Sequence, residues 1–120
     1  MRLLIVDDSP RFLRAARGLL ERQGLTVVGV ATGGPEALRQ AAALRPDLTL
    51  VDIDLGGESG FELARRLHRE AGLAPGQLVL ISVRDPDDFA ELISASPAGG
   101  FLSKSDLSAD AITSLLASSA

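Results

Sequence analysis

Residues 3–10 of the chain read LLIVDDSP. Four consecutive apolar residues bounded by polar ones are typical of a buried β-strand. Ser9 followed by Pro10 is typical of a helix N-terminus, because Ser caps the first turn and Pro suits the first helical position. A stripe of apolar side chains at helical spacing follows, at Phe12, Leu13, Ala16, Leu19 and Leu20. The stretch therefore predicts a strand that passes into a helix, with two aspartates at the junction.

The same strand–helix unit recurs along the chain and predicts the architecture. The five apolar runs are residues 3–6, 26–30, 48–51, 78–81 and 101–102. Alternation of strands and helices predicts an α/β fold: a doubly wound five-stranded parallel sheet, order 2-1-3-4-5, flavodoxin-like, with five flanking helices. Five helices are predicted between and after these runs. The first three run from Pro10 to before Gly24, from Pro35 to Leu44, and from a capping box of Ser59 and Glu62 toward Gly72. A shorter fourth helix follows Asp85 and Pro86, and a fifth follows Ser108, with fraying expected at 118–120.

Composition limits the classes of protein and partner. The chain has 120 residues, a net charge of −4, no Cys and 3% aromatic residues. One domain over residues 1–120 fits this length, and disulfides, thiolate zinc sites and cysteine nucleophiles are excluded. An acidic chain without a basic run does not favour nucleic-acid binding by this domain. The N-terminal apolar run is too short for a signal peptide or a membrane span, so we expect no membrane partner and a cytoplasmic location.

Polar residues follow the predicted strands. Asp7 and Asp8 follow the first strand, Asp52 the third, Ser82 the fourth, and Lys104, the only Lys of the chain, the fifth. Each of these residues, considered alone, also has a structural explanation as a helix-terminal charge, a turn former or a solvated side chain. Ligands of such sheets bind outside the carboxyl ends of the strands, so the joint placement favours one site. Clustered carboxylates need a compensating cation, and hard oxygen ligands suit Mg²⁺.

Four motifs together resemble a known family. Residues 6–8 (VDD), 46–52 (PDLTLVD), 80–82 (LIS) and 100–104 (GFLSK) follow the order found in the receiver domain of two-component response regulators. The resemblance covers the whole chain and implies the chemotaxis-regulator-like form of the fold. It also implies a phosphorelay, in which a sensor histidine kinase transfers a phosphoryl group to Asp52 in a Mg²⁺-dependent reaction and the domain then switches an output surface.

The resemblance assigns a role to each site residue. Lys104 would pair with one phosphate oxygen, and Ser82 would donate its hydroxyl to another. Movement of Ser82, coupled to rotation of Phe101, would carry the signal to the surface of the fourth helix, fifth strand and fifth helix. The implied Mg²⁺ ligands are Asp7, Asp8, Asp52 and the backbone carbonyl of Asp54.

Three residues near the implied site are expected to modulate it. Val83 stands where the family usually has a small residue, and we expect it to crowd the phosphate entrance. Asp54 adds a fourth acid near the metal. Two arrangements of Arg84 and Asp54 stay open: the two side chains pair across the mouth of the cleft, or both are solvated.

Two further departures from the family pattern concern the backbone. Gly56 replaces a Pro, so the loop after Asp52 is expected to be more flexible. Ser105 replaces the Pro that usually follows Lys104. The geometry of that peptide bond, cis or trans, stays open, because a cis bond without Pro costs about 2.5–4 kcal/mol.

Two other functions fit part of the pattern. A haloacid-dehalogenase-like phosphatase also forms an aspartyl phosphate, and Asp52 with Asp54 resembles its DxD motif, but in that family the DxD motif comes first and the acidic pair last. A degenerate receiver that acts only as a binding module would not need the full acidic set. We therefore expect a phosphoacceptor signalling domain and no enzyme activity beyond self-directed phosphotransfer and dephosphorylation.

The output is less constrained by the sequence. Residues 100–105 (GFLSKS) resemble the branch of the family that carries a helix-turn-helix DNA-binding domain, which implies transcription regulation through an effector outside this chain. Formation of a homodimer on phosphorylation stays open, because the fifth helix has only a thin apolar stripe.

Overall fold

A computed structural model describes residues 1–119, with side chains to residue 117. The fraying expected at 118–120 lies outside the residues whose side chains are described. The strands are β1 (Arg2–Val6), β2 (Thr26–Ala31), β3 (Leu48–Asp52), β4 (Asp54–Leu55), β5 (Glu58–Ser59), β6 (Leu78–Ser82) and β7 (Gly100–Ser103). The α-helices are α1 (Pro10–Arg22), α2 (Gly34–Leu44), α3 (Gly60–Glu70), α4 (Ala90–Ala95) and α5 (Ala109–Ser119).

Five of the strands form one parallel sheet in the order β2-β1-β3-β6-β7. Numbered among themselves, these strands have the predicted order 2-1-3-4-5, so the fold prediction is confirmed. All five run in one direction, and their carboxyl ends therefore share one edge of the sheet. The strand order reverses at β1, which places the ligand crevice beyond the ends of β1 and β3.

The helices cover both faces of the sheet. Alternate residues of β1 point to opposite faces, so that Leu3 and Ile5 pack in one core cluster and Leu4 and Val6 in the other. The first cluster includes buried residues of α1 and α5, and the second includes residues of α2, α3 and α4. Within residues 1–119, no helix has both the length and the apolar character needed to cross a bilayer.

The helix caps are mostly as predicted. The Ser9 hydroxyl accepts a hydrogen bond from the Phe12 N–H (3.2 Å), which caps α1. The Ser59 hydroxyl caps α3 by accepting from the Glu62 N–H (3.4 Å). The predicted capping box is nevertheless incomplete, because the Glu62 carboxylate accepts instead from Arg65 (2.8 Å).

Two local features add detail that the sequence did not predict. The loop after Asp52 contains a hairpin of β4 and β5, in which Gly56 adopts a φ of 70°, a value that favours glycine. The predicted fourth helix is a 3₁₀ turn, Pro86–Phe89, followed by the six-residue α4. Short 3₁₀ turns also occur at Pro75–Gln77 and Lys104–Asp106. The bond between Lys104 and Ser105 is trans, since residues 1–119 contain no cis peptide.

Candidate functional site

Three acidic side chains converge at the carboxyl ends of β1 and β3. Asp7 follows β1, and its N–H donates to the Ala31 carbonyl (3.0 Å), which fixes Asp7 at the sheet edge. Asp52 is the last residue of β3. One carboxylate oxygen from each of Asp7, Asp8 and Asp52 lies within 4.8 Å of the others. Asp7 and Asp52 are buried and Asp8 is exposed, so the cluster lies at the floor and rim of the predicted crevice.

The Lys104 ammonium reaches this cluster from the end of β7. Its Nζ lies 2.5 Å from Asp7 Oδ2 and 3.1 Å from Asp52 Oδ2. The Lys104 side chain is only 13% exposed. One ammonium therefore pairs with two of the three carboxylates, and the cluster keeps an excess of negative charge.

Burial and neighbouring charges shift the pKa values of Asp52 and Lys104. Burial raises the pKa of the Asp52 carboxyl, and the charge of Asp7 acts in the same direction. Hydrogen bonds from the Asp54 N–H (3.2 Å) and from Lys104 oppose this rise without cancelling it. Burial alone would lower the pKa of Lys104, but its close contacts with the Asp7 and Asp52 carboxylates raise it above the ordinary value. A further cation would favour the ionised form of Asp52.

The donor set fits Mg²⁺. Three carboxylate oxygens within 4.8 Å of one another are hard ligands, and one ammonium does not balance their charge. Mg²⁺ is bound by one or two carboxylates, keeps several waters and accepts phosphate oxygens. The exposed Asp8 leaves the cluster open to solvent on one side. The residues present therefore fit a divalent cation that shares its coordination with a second, anionic group.

Ser82 lies at the same edge. It is the last residue of β6 and is buried, and its hydroxyl accepts from the Arg84 N–H (2.9 Å). Strand pairing places Ile81 opposite Asp52 and Ser82 opposite Ser103. The Ser82 hydroxyl thus ends its strand between the strands that carry Asp52 and Lys104.

A cluster of charged and aromatic groups lies at the mouth of the crevice. Arg84 Nη2 lies 3.4 Å from Asp54 Oδ2, with both side chains more than half exposed. The Arg84 guanidinium also lies 5.5 Å from the centre of the Phe89 ring, which packs 6.1 Å from the Phe61 ring. The Asp54 carboxylate is therefore paired with Arg84 and is not a member of the three-acid cluster. An exposed pair of this kind contributes about 0–1 kcal/mol.

The remaining predicted residues, Val83 and Phe101, are not fully buried. Val83 follows Ser82 and is 80% exposed, so its side chain has few neighbours. Phe101 is half-buried on β7, opposite Leu80, and packs against the core on the α3 and α4 side.

The sequence did not indicate two contacts at the site. The Lys104 Nζ lies 4.3 Å from the centre of the Phe12 ring. The sequence places Phe12 in the apolar stripe of the first helix. The only local hint of this contact is its position one helical turn after the two aspartates. The Glu58 carboxylate accepts from the Gly34 N–H (3.1 Å) and links the β4–β5 hairpin to the start of α2. These two residues are 24 positions apart, and no local pattern joins them.

Comparison with known proteins identifies the family. The model of the response regulator receiver domain matches residues 3–116. The response regulator GacA of Pseudomonas viridiflava is 33% identical over 105 residues, which cover 87% of this chain and 48% of that protein. The DNA-binding transcriptional activator EvgA of Escherichia coli K12 is 26% identical over 106 residues, which cover 88% of this chain and 51% of that protein.

A solved structure with the same fold carries a modified acid. It is a crystal structure of a Burkholderia pseudomallei response regulator with a phosphorylated aspartic acid, a calcium ion and citrate. Its TM-score is 0.78 at 25% identity, over 96% of this chain and 65% of that chain. The present chain spans about half the length of the curated relatives it matches.

The chain belongs to the response regulator receiver domain family and is a signalling domain of two-component systems. The family match, over nearly the whole chain, favours this class over the phosphatase alternative.

Proposed function

We propose that Asp52 accepts a phosphoryl group from the phosphohistidine of a sensor histidine kinase. The observation that carries this proposal is the convergence of three carboxylates and the Lys104 ammonium at the carboxyl edge of the sheet. The phosphorylated aspartic acid in the Burkholderia pseudomallei regulator supports it.

The transfer forms one bond and breaks another. A carboxylate oxygen of Asp52 attacks the phosphorus, and the phosphorus–nitrogen bond to the kinase histidine breaks, with its electron pair remaining on the imidazole. The product is an aspartyl phosphate. Lys104, 3.1 Å from the Asp52 carboxylate, is placed to exchange this contact for a phosphoryl oxygen. The reaction needs positioning and charge compensation more than proton transfer.

A divalent cation completes the charge balance. The proposed Mg²⁺ ligands are Asp7, Asp8, Asp52 and the backbone carbonyl of Asp54. When bound, Mg²⁺ supplies charge neutralisation between nucleophile and phosphate. The backbone N–H of Ser9 donates to Asp7 Oδ1 (2.9 Å) and holds that carboxylate in place for this role.

The Ser82 hydroxyl is the proposed sensor of the phosphate. In the structure its oxygen accepts from the Arg84 N–H, so its proton is available for a phosphoryl oxygen. Movement of Ser82 coupled to Phe101 on β7 would alter the surface formed by α4, β7 and α5.

The output and location follow from the proposed phosphorelay. The match covers only 51% of EvgA, which is a DNA-binding transcriptional activator, so we propose that this domain regulates transcription through an effector outside the chain. The kinase and Mg²⁺ would be met in the cytoplasm. A homodimer formed on phosphorylation is tested by light scattering with and without a stable phosphate mimic.

The experiment is incubation with a small phosphodonor in Mg²⁺ or in EDTA, followed by intact-mass measurement. We expect one added phosphoryl group in Mg²⁺ and none in EDTA. Equal modification in both would contradict the metal dependence.

Asp7→Ala and Asp8→Ala should weaken Mg²⁺ binding, and unchanged affinity in both variants would place the metal elsewhere.

A further inference from the structure

Phe12 contacts the one cation of the acid cluster. The Lys104 Nζ lies 4.3 Å from the centre of the Phe12 ring, within the range at which an ammonium is attracted to the face of an aromatic ring. The same Nζ is in contact with Asp7 and Asp52. An ammonium has three N–H donors, so it can contact the two carboxylates and the face of the ring at the same time.

The Phe12 ring is held by the start of α1. The Phe12 N–H donates to the Ser9 hydroxyl in the capping turn that directly follows the two aspartates. The half-buried ring packs against the core cluster of α1 and α5. The ring therefore belongs to the scaffold, whereas the Lys104 side chain has a flexible four-carbon stem that has to be ordered.

We propose that Phe12 is a positioning residue that holds the Lys104 ammonium at the acidic edge. This inference rests on the proposed function, because phosphoryl transfer is what makes the position of Lys104 matter. A ring can hold the ammonium without neutralising it, and it brings no negative charge toward an incoming phosphoryl group. A carboxylate in the place of Phe12 would neutralise the ammonium and would repel the incoming phosphoryl group.

The proposal predicts opposite changes in two measurements. In Phe12→Leu the apolar bulk is kept, but the ring face is lost, so Lys104 leaves the carboxylates more often. Mg²⁺ binding to the resting chain should then become about threefold tighter, since a competing cation is held less firmly. Phosphorylation by a small phosphodonor should become about tenfold slower at saturating Mg²⁺. Damage to the fold would instead weaken both.

The experiment compares Phe12→Leu and Phe12→Tyr with the parent chain. Mg²⁺ affinity is measured by calorimetry, and the rate of modification by intact mass. Phe12→Tyr keeps the ring face and should match the parent in both. Leu19→Ala, which shortens another half-buried apolar side chain of α1, is the control and should change neither. If Phe12→Leu does not fold, Phe12→Met replaces it, with the same expected result.

The Lys104→Ala background decides whether Phe12 acts through Lys104. There Phe12→Leu should leave Mg²⁺ affinity unchanged. The same tightening in that background, no tightening in the parent background, or a loss in both measurements would overturn the proposal. A parent chain that is not modified at all would contradict the proposed function, while the Mg²⁺ measurements would still test the contact between Phe12 and Lys104.

Discussion

Lys104 shows how a single residue depends on its surroundings at this site. Its ammonium is a compact charge, and in this crevice it is in contact with two carboxylates and one aromatic ring at once. The planar guanidinium of Arg, the residue at the other 11 of the 12 Lys and Arg positions, would not fit these three directions in the same way. The contacts at this site therefore depend on the shape of the Lys104 side chain as well as on its charge.

Thr49 is a buried residue whose hydroxyl has no partner. It lies in β3 between Leu4 and Leu78, it is fully buried, and its Oγ1 makes no hydrogen bond. Thr49→Val should raise the free energy of unfolding by about 1 kcal/mol, because the desolvation cost of the hydroxyl is removed. Urea denaturation measures this. The exposed Thr26→Val on β2 is the control, with a change within about 0.5 kcal/mol. A loss of stability in Thr49→Val would show that its hydroxyl has a partner.

Val83 is predicted to prolong the lifetime of the phosphorylated state. It directly follows Ser82, the last residue of β6, and we expect its branched side chain to slow the approach of water to a phosphoryl group on Asp52. Val83→Ala should therefore hydrolyse faster, and each tenfold in rate corresponds to about 1.4 kcal/mol in barrier. Dephosphorylation is timed for both proteins at one pH and one Mg²⁺ concentration.

Val83→Thr is the matched control for this prediction. Thr keeps the branched shape, so its lifetime should stay near that of the parent. An equal lifetime in Val83→Ala and the parent, or a shorter one in the parent, would mean that Val83 does not obstruct water.

At the scale of elements, the start of α3 is pressed against the end of β3. The Gly60 N–H donates to the Ile53 carbonyl (2.9 Å). A Cβ on Gly60 would clash with the backbone oxygen of Asp52 and lie 2.5 Å from Ile53 Cα. Because both neighbours are backbone, neither can rotate away. The position of α3 and the position of Asp52 are therefore coupled through this glycine.

Gly60→Ala should lower the free energy of unfolding by about 2–3 kcal/mol, because the added methyl group forces the helix and the strand end apart. Thermal and urea denaturation check this value. Gly57→Ala is the control, since a Cβ there meets nothing within 4 Å, and its effect should be near zero or slightly stabilising. Equal stability of the two variants would refute the close approach of α3 to β3.

Elements with strong periodic signals could be predicted, and elements with weak ones could not. The strands of the main sheet and helices α1, α2 and α3 begin and end within one or two residues of the predicted positions, and α5 begins at the predicted one, because apolar periodicity and capping residues agree there. The β4–β5 hairpin has strands of two residues, too short for a period to show. The predicted fourth helix begins as a 3₁₀ turn in which Asp87 and Asp88 are poor helix formers.

At the scale of the whole molecule, parallel strand direction is what made the site predictable. Residues far apart in sequence meet because each follows a strand, and all the carboxyl ends of those strands share one edge. The sequence could therefore predict the cluster of Asp7, Asp8, Asp52 and Lys104. It could not predict which side chains pair inside the crevice, such as Phe12 with Lys104, since such contacts depend on rotamers and on helix packing.

The central claim is that Asp52 is the phosphoacceptor, and peptide mapping of the modified chain tests it most directly. The chain is incubated with Mg²⁺ and a small phosphodonor, reduced with borohydride to convert an aspartyl phosphate to homoserine, digested and sequenced by mass spectrometry, with Asp52→Asn treated in parallel. The account predicts one modified position, Asp52, and no phosphoryl group on Asp52→Asn. A modified residue other than Asp52, or an Asp52→Asn chain phosphorylated as fully as the parent, would contradict it.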